Sequence, residues 1–253
     1  MFKNFLTFVF FFIVIQTNVE AQLHLKPEAQ LHQSAVAQFH VVIDPGHGGT
    51  DSGTRRDSFV ESKIVLAIAE KIKTELLSNA SLKITLTRQT DSNLSLTQRV
   101  QLANDLNADI FISLHANSSR STQVSGLEFY FAAQPQVLNS AQSATHLVKP
   151  SDVIEKIKKD LILLGKNKSS LEFSRQAQIQ NPDKKSVIRR APFYVIENTL
   201  MPAVLIEVGF ISNRREAKKL ATPEYQSEIA SLLAKSILSY KEKGDKKVSL
   251  NEK

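Results

Sequence analysis

Four side chains in this sequence could together hold a metal ion and move a proton. His47 stands in the segment Asp44-Pro45-Gly46-His47-Gly48-Gly49, directly after the run HVVI. Glu61 opens a stretch with helical spacing, His115 ends the apolar run ADIFISLH, and Glu207 is the only charge in VLIEVGF. Two imidazoles and one carboxylate make a three-ligand catalytic zinc set whose fourth position is left to water. Zinc lowers the pKa of such a water toward neutrality, and a second carboxylate can take its proton. Glu207 suits that task, because an isolated charge in an apolar run requires a partner or a function. Each residue also has a structural alternative. Glu61 could simply favour a helix N-terminus, His115 could be a hydrogen-bonded core histidine, and Glu207 could pair with Arg189 or Arg190. Their joint placement, at helix starts and at the carboxyl ends of strands, favours the metal site.

The glycines Gly46, Gly48, Gly49 and Gly53 fall within eight positions, but no phosphate-cradling loop fits them. No Lys follows directly, and Asp51 stands where the third glycine of a dinucleotide fingerprint would be. A tight turn remains, presenting His47 at the end of a strand, where open α/β sheets bind ligands.

Alternating strands and helices must position these residues. HVVIDPG reads as a buried strand, and Ile64, Val65, Ile68, Ile72 and Leu76 form one helical stripe after Glu61. SLKITLTR, ADIFISLH and GLEFYFAA read as strands, and LTQRVQLANDLN as a helix. Residues 151–180 read as one or two helices joined near Gly165. Ala191–Glu197 and Ala203–Phe210 are expected strands, and Arg214–Tyr240 an expected helix interrupted near Pro223. The expectation is a single α/β domain, with a mainly parallel or mixed sheet and helices on both faces. Residues 241–253 read as a loose charged tail. His24, His32, His40 and His146 lack a comparable context; surface positions are expected for the first three, in or beside the linker, and His146 falls in an expected loop.

The composition of the 253-residue chain, 42% hydrophobic and 23% charged, is that of a globular protein and excludes collagen-like or wholly disordered classes. The absence of cysteine excludes disulfides, iron–sulfur clusters, thiolate zinc sites, cysteine nucleophiles and lipoprotein anchoring. Lys3 followed by the apolar run Phe5–Ile15 and by Val19-Glu20-Ala21 reads as a secretory signal over residues 1–21. Eleven residues span only about 16 Å as a helix, too short for a bilayer. A Gln- and Ala-rich linker over 22–38 follows, then a domain over 39–240. The expectation is an exported protein without a transmembrane segment after cleavage. Its net charge of +7 then points to anionic wall polymers rather than nucleic acid.

Taken in order, DPGHGGTDSG, VESKIVLAIAEKI, ISLHAN and PAVLIEVGFISN resemble the zinc-dependent N-acetylmuramoyl-L-alanine amidases of bacterial cell walls. TLTRQTD with Arg88 and LTQRVQLAN with Arg99 and Asn104 are similar to intervening family segments, so the resemblance runs from about His40 to Tyr240. It implies a six-stranded sheet flanked by helices, and hydrolysis of the amide between the lactyl group of N-acetylmuramic acid and L-alanine of the stem peptide. It implies that His47, Glu61 and His115 bind one zinc ion and that Glu207 is the catalytic carboxylate. Asp44 and Asn117 are then supporting or substrate-contacting groups, while Arg88 and Arg99 brace the packing. Residues 134–180 occupy the place of an inserted helical segment that covers the zinc in some members until a protein activator displaces it. No acidic residue lies between Phe129 and Ser151, so either His146 or Glu155 acts as the plug or the site is constitutively open. Peptidoglycan is the expected partner and a monomer the expected state. The alternatives are a zinc peptidase cutting within the stem peptide and a non-catalytic peptidoglycan-binding protein. A basic membrane-surface protein is disfavoured, because no basic amphipathic helix with aromatic anchors occurs.

Overall fold

The computed structural model describes residues 38–133, 150–181 and 185–251; the expected signal and most of the linker lie outside them, as does His146. In chain order the strands are β1 (Phe39–Pro45), β2 (Arg55–Arg56), β3 (Phe59–Val60), β4 (Leu82–Leu86), β5 (Ile110–Asn117), β6 (Leu127–Ala132), β7 (Ser186–Ala191) and β8 (Ala203–Phe210). The helices are α1 (Glu61–Leu76), α2 (Leu96–Asp105), α3 (Pro150–Gln180), α4 (Tyr194–Asn198), α5 (Arg214–Leu220) and α6 (Pro223–Asn251).

Six strands form one sheet in the order β4-β1-β5-β8-β6-β7. Every pairing is parallel except β6 with β8. Strand faces alternate with period two. Val41, Ile43, Ile112, Leu114, Val204 and Ile206 face Ile64, Ile68 and Ile72 of α1, together with Phe173 of α3 and Leu233 of α6. Val42, Phe111, Ala203 and Leu205 face the other way, against Val100 and Ala103 of α2 and Val195 and Ile196 of α4. Both faces are therefore covered, which is why the central strands read as continuous apolar runs. Helix starts follow local chemistry. Ser95 and Gln98 close a capping box on α2, and Asn213 accepts the Arg215 and Glu216 amides ahead of α5.

Several elements differ from the sequence expectation. Ala191–Glu197 is not a strand: β7 occupies Ser186–Ala191 and the chain then turns into α4. Pro192 has no amide to donate, so the ladder stops there, and Val195 and Ile196 fill the core from a helical turn instead. No loose tail begins after Tyr240, because α6 continues to Asn251. Lys241 pairs with Asp245 at 2.7 Å and Lys243 with Glu172 of α3 at 2.8 Å, which holds this last stretch. His40 is buried within β1, with Nε2 at 2.9 Å from Thr85 Oγ1, and is not a surface residue. The β2–β3 hairpin, only two residues per strand, carries too short a pattern to register in the sequence.

α3 is one continuous helix with two characters. Its first half exposes Val153, Ile154, Ile157 and Leu161, while Phe173 and Ala177 of its second half are fully buried. Buried Lys166 donates to the Ile196 carbonyl at 2.7 Å, and Ser170 Oγ accepts the Ala203 amide at 2.9 Å. The second half is thus part of the core. Phe173→Ala is expected to cost about 3–5 kcal/mol through lost contacts and the cavity left behind. Urea denaturation followed by far-UV circular dichroism measures this.

Candidate metal centre

β1 delivers the chain into a turn whose backbone needs both space and support. A Cβ on Gly46 would lie 2.3 Å from His115 Cε1, so only glycine lets that imidazole lie over the turn. Gly53, at φ +64°, would place a Cβ 2.6 Å from Glu61 Oε2. His47 itself adopts φ +58°, a left-handed conformation of the kind that surrounding structure must enforce. Two buried arginines enforce it. Arg99 donates to the Pro45 and His47 carbonyls at 2.7 Å each, and Arg88 to those of Pro45 at 2.8 Å and Gly46 at 2.7 Å. Asp44, 1% exposed, anchors Arg99 at 2.7 Å and accepts from Thr87 Oγ1 at 2.6 Å and Ser113 Oγ at 2.9 Å. Asp44 therefore supports the loop through Arg99 rather than touching an imidazole.

The turn, the start of α1 and the end of β5 bring His47, Glu61 and His115 together. One ligand atom from each lies within 4.8 Å of the other two. Glu61 Oε1 is 3.1 Å from His47 Nε2 and 3.0 Å from His115 Nδ1. Glu61 is fixed by backbone amides, Ala116 N to Oε1 at 3.0 Å and Thr54 N to Oε2 at 2.7 Å. Burial alone would raise the Glu61 pKa, but hydrogen bonds and charge from His115 and His47 hold it well below the usual carboxylate range. Burial would lower that of His47, yet Glu61 and Asp51 carry it up to about 9. The Asp51 carboxylate sits 2.7 Å from His47 Nδ1, leaving Nε2 turned toward Glu61. Two half-buried imidazole nitrogens converging on one oriented carboxylate oxygen fit a divalent ion, and they are the donor types that catalytic zinc takes.

Glu207 lies directly across from His115 in the β5–β8 register. It is 9% exposed, and its Oε2 has no hydrogen-bond partner. Burial, reinforced by the charges of Glu61 and Glu128, pushes its carboxyl up to about 8. Neither arginine considered from the sequence is its partner. Arg189 approaches Glu128 at 3.6 Å, and Arg190 stacks over Phe131. Glu128 faces Glu207 across the β6–β8 pair and accepts from Tyr130 OH at 2.7 Å and Asn117 Nδ2 at 2.9 Å. Asn117 thus serves Glu128 rather than a histidine. Glu155 is exposed on α3, pairs with Lys158 at 3.1 Å and is not in the cluster.

Sequence reasoning overlooked Asp51, Glu128 and Tyr130. Glu128 carried a usable signal, since it is the single charge in LEFYFA, as Glu207 is in its own strand. Asp51 carried a weaker one, four positions beyond His47 in the glycine-rich loop.

A three-donor cluster beside a buried carboxyl with a free oxygen, at the carboxyl ends of the parallel strands β1, β5 and β8, has the make-up of a metal-dependent hydrolase. Residues 41–239 match the N-acetylmuramoyl-L-alanine amidase family. The N-acetylmuramoyl-L-alanine amidase LytC of Bacillus subtilis is 32% identical over 200 residues, 79% of this chain and 35% of LytC. This chain thus spans about a third of that relative's length. Among solved structures, the catalytic domain of the amidase CwlV from Paenibacillus polymyxa superposes with a TM-score of 0.63 at 32% identity, covering 80% of this chain and 98% of that one. The CwlD amidase of Clostridioides difficile, in complex with the GerS lipoprotein, gives a TM-score of 0.62 at 25% identity over 80% of this chain and 98% of that one. The chain belongs to the N-acetylmuramoyl-L-alanine amidase family.

The turn depends on its arginine support. Arg99→Ala leaves Asp44 without its counter-charge and removes three hydrogen bonds to carbonyls, those of Leu94, Pro45 and His47. A loss of about 3–5 kcal/mol is expected, read as a lower urea midpoint.

Proposed function

We propose that this protein is an exported zinc amidase that hydrolyses the amide joining the lactyl group of N-acetylmuramic acid to L-alanine of the stem peptide. The observation that carries this reading is the alignment of Glu207, with a free buried oxygen, across the sheet from His115 in the His47-Glu61-His115 cluster. His47, Glu61 and His115 are the proposed ligands. Zinc held there supplies Lewis acidity, polarising the scissile carbonyl and lowering the pKa of water. Glu207 Oε2 accepts the proton of the attacking water and returns it to the departing amine of L-alanine. Asp51 accepts from Nδ1 of His47 and so fixes the imidazole with Nε2 toward Glu61, where it would be available to a metal. Glu128, tied by Asn117 and Tyr130, faces Glu207 and raises its affinity for the proton it takes up.

Export rests on the signal-like residues 1–21, and no helix among the described residues is long and apolar enough to cross a membrane. A protein activator belongs to the same proposal. CwlD is known in complex with a lipoprotein, and the first half of α3 here leaves an apolar stripe uncovered.

Digestion of purified peptidoglycan, read by mass spectrometry, is the test. Intact stem peptides with a free L-alanine amine are expected; fragments cut within the stem would indicate a peptidase instead. A chelator should abolish release and added zinc restore it. Glu207→Gln should lower kcat about 10²- to 10⁴-fold while the circular dichroism spectrum stays unchanged. Asp51→Asn should weaken zinc binding about 10- to 100-fold in a competition titration with a chromophoric chelator.

A further inference from the structure

Away from the cluster, a cavity of about 940 Å³ opens beside the end of β8. Leu127 lines it, whereas the next residue, Glu128, belongs to the opposite face of β6 and meets Glu207. The cavity therefore lies around the rim of the sheet from the catalytic row. Its wall carries Arg56 from the β2–β3 hairpin, Lys185 ahead of β7, Arg214, Arg215 and Lys219 of α5, and Lys235 of α6. Two acids, Glu216 and Glu228, also line it, which leaves a surplus of four positive charges.

Glu216 is turned into the fold, where its two oxygens accept the Gly126 and Phe210 amides at 2.8 Å each. Arg56 donates to the Ser212 carbonyl, which fixes the guanidinium at the wall without neutralising it. Lys219 stands over the Tyr225 ring at 5.7 Å. Buried Asn181 adds an amide donor at the wall, Nδ2, that has no hydrogen-bond partner. Cations brought from four separate segments into one concavity repel each other unless an anion lies among them.

We infer that this cavity is a subsite for the carboxylate groups of a peptidoglycan stem peptide. The volume falls in the range that encloses a small ligand or a few residues, not a whole polymer strand. Guanidinium and ammonium donors bind carboxylates through charge-assisted hydrogen bonds, which a carboxamide cannot replace. The Tyr225 ring offers an apolar surface to the methylenes between the carboxylates. The assignment deepens the amidase reading and rests on it, since that reading supplies stem peptides at this rim.

The test is calorimetric titration of the full chain with a synthetic stem tripeptide, L-Ala-γ-D-Glu-diaminopimelate with free carboxylates, and with its amidated counterpart. The acid form is expected to bind about tenfold or more tightly than the amide form. Arg215→Ser with Lys219→Ser, both exposed, should remove that preference, whereas Lys83→Ser with Lys168→Ser, the same change of charge elsewhere, should keep it. Equal binding of acid and amide forms, absence of peptide binding, or equal losses in the two double variants would overturn the inference. So would tight binding of an oligomeric glycerol phosphate with none of the peptide. Glu207→Gln is expected to retain the acid-over-amide preference while losing turnover. A wild-type protein that binds the peptide but releases none from peptidoglycan sinks the amidase reading alone; one that cleaves without preference sinks only the subsite.

Discussion

Two guanidinium groups buried beneath a short turn hold the rest of the site in place. The chain leaves β1 with carbonyls at Pro45, Gly46 and His47 that no strand can satisfy, and with His47 in a left-handed conformation. Unpaired buried carbonyls would each cost free energy comparable to a lost hydrogen bond. Arg88 and Arg99 supply the missing donors, and Asp44 supplies the counter-charge that lets Arg99 remain buried. Because the same turn carries His47 and lies against the His115 ring, the placement of both imidazoles follows from this one buried network.

Around that turn, Glu61 and Glu207 sit in environments that push them in opposite directions, with Glu128 beside them. Glu61 is surrounded by two imidazoles and two backbone amides, so its charge is favoured. Glu128 is hydrogen-bonded by Asn117 and Tyr130 and approached by Arg189. Glu207 lies between them with a bare oxygen, its proton affinity raised by burial and by both neighbours. Titratable groups whose environments drive them apart divide acid and base roles among themselves. Here the division separates a fixed anion beside the histidines from a carboxyl able to exchange a proton.

α3 joins two kinds of structure in one helix. Its second half is anchored through Ser170, Phe173 and Ala177 to the sheet that carries Glu207 and Glu128, and through Lys166 to α4. Its first half presents aliphatic side chains to solvent. Of the segment expected from the sequence as a single insertion over 134–180, residues 166–177 are therefore scaffold and cannot be displaced without opening the core.

The sequence by itself determined the alternation of strands and helices, the order of the site residues and the isolation of Glu207. Those features are written in local periodicity and in the contrast between one charge and its apolar neighbours, which need no knowledge of distant contacts. The helical end of α6 and the burial of His40 depend on partners far along the chain, Glu172 and Thr85. The break after β7 follows instead from Pro192 itself, a local signal outweighed by the apolar residues around it. Tertiary structure alone decided that Asp44 serves Arg99, that Asn117 serves Glu128, and that six cations converge on one cavity. A hydrogen bond or a field is set by distance in space, and strand register and rim geometry create those distances only after the sheet has closed.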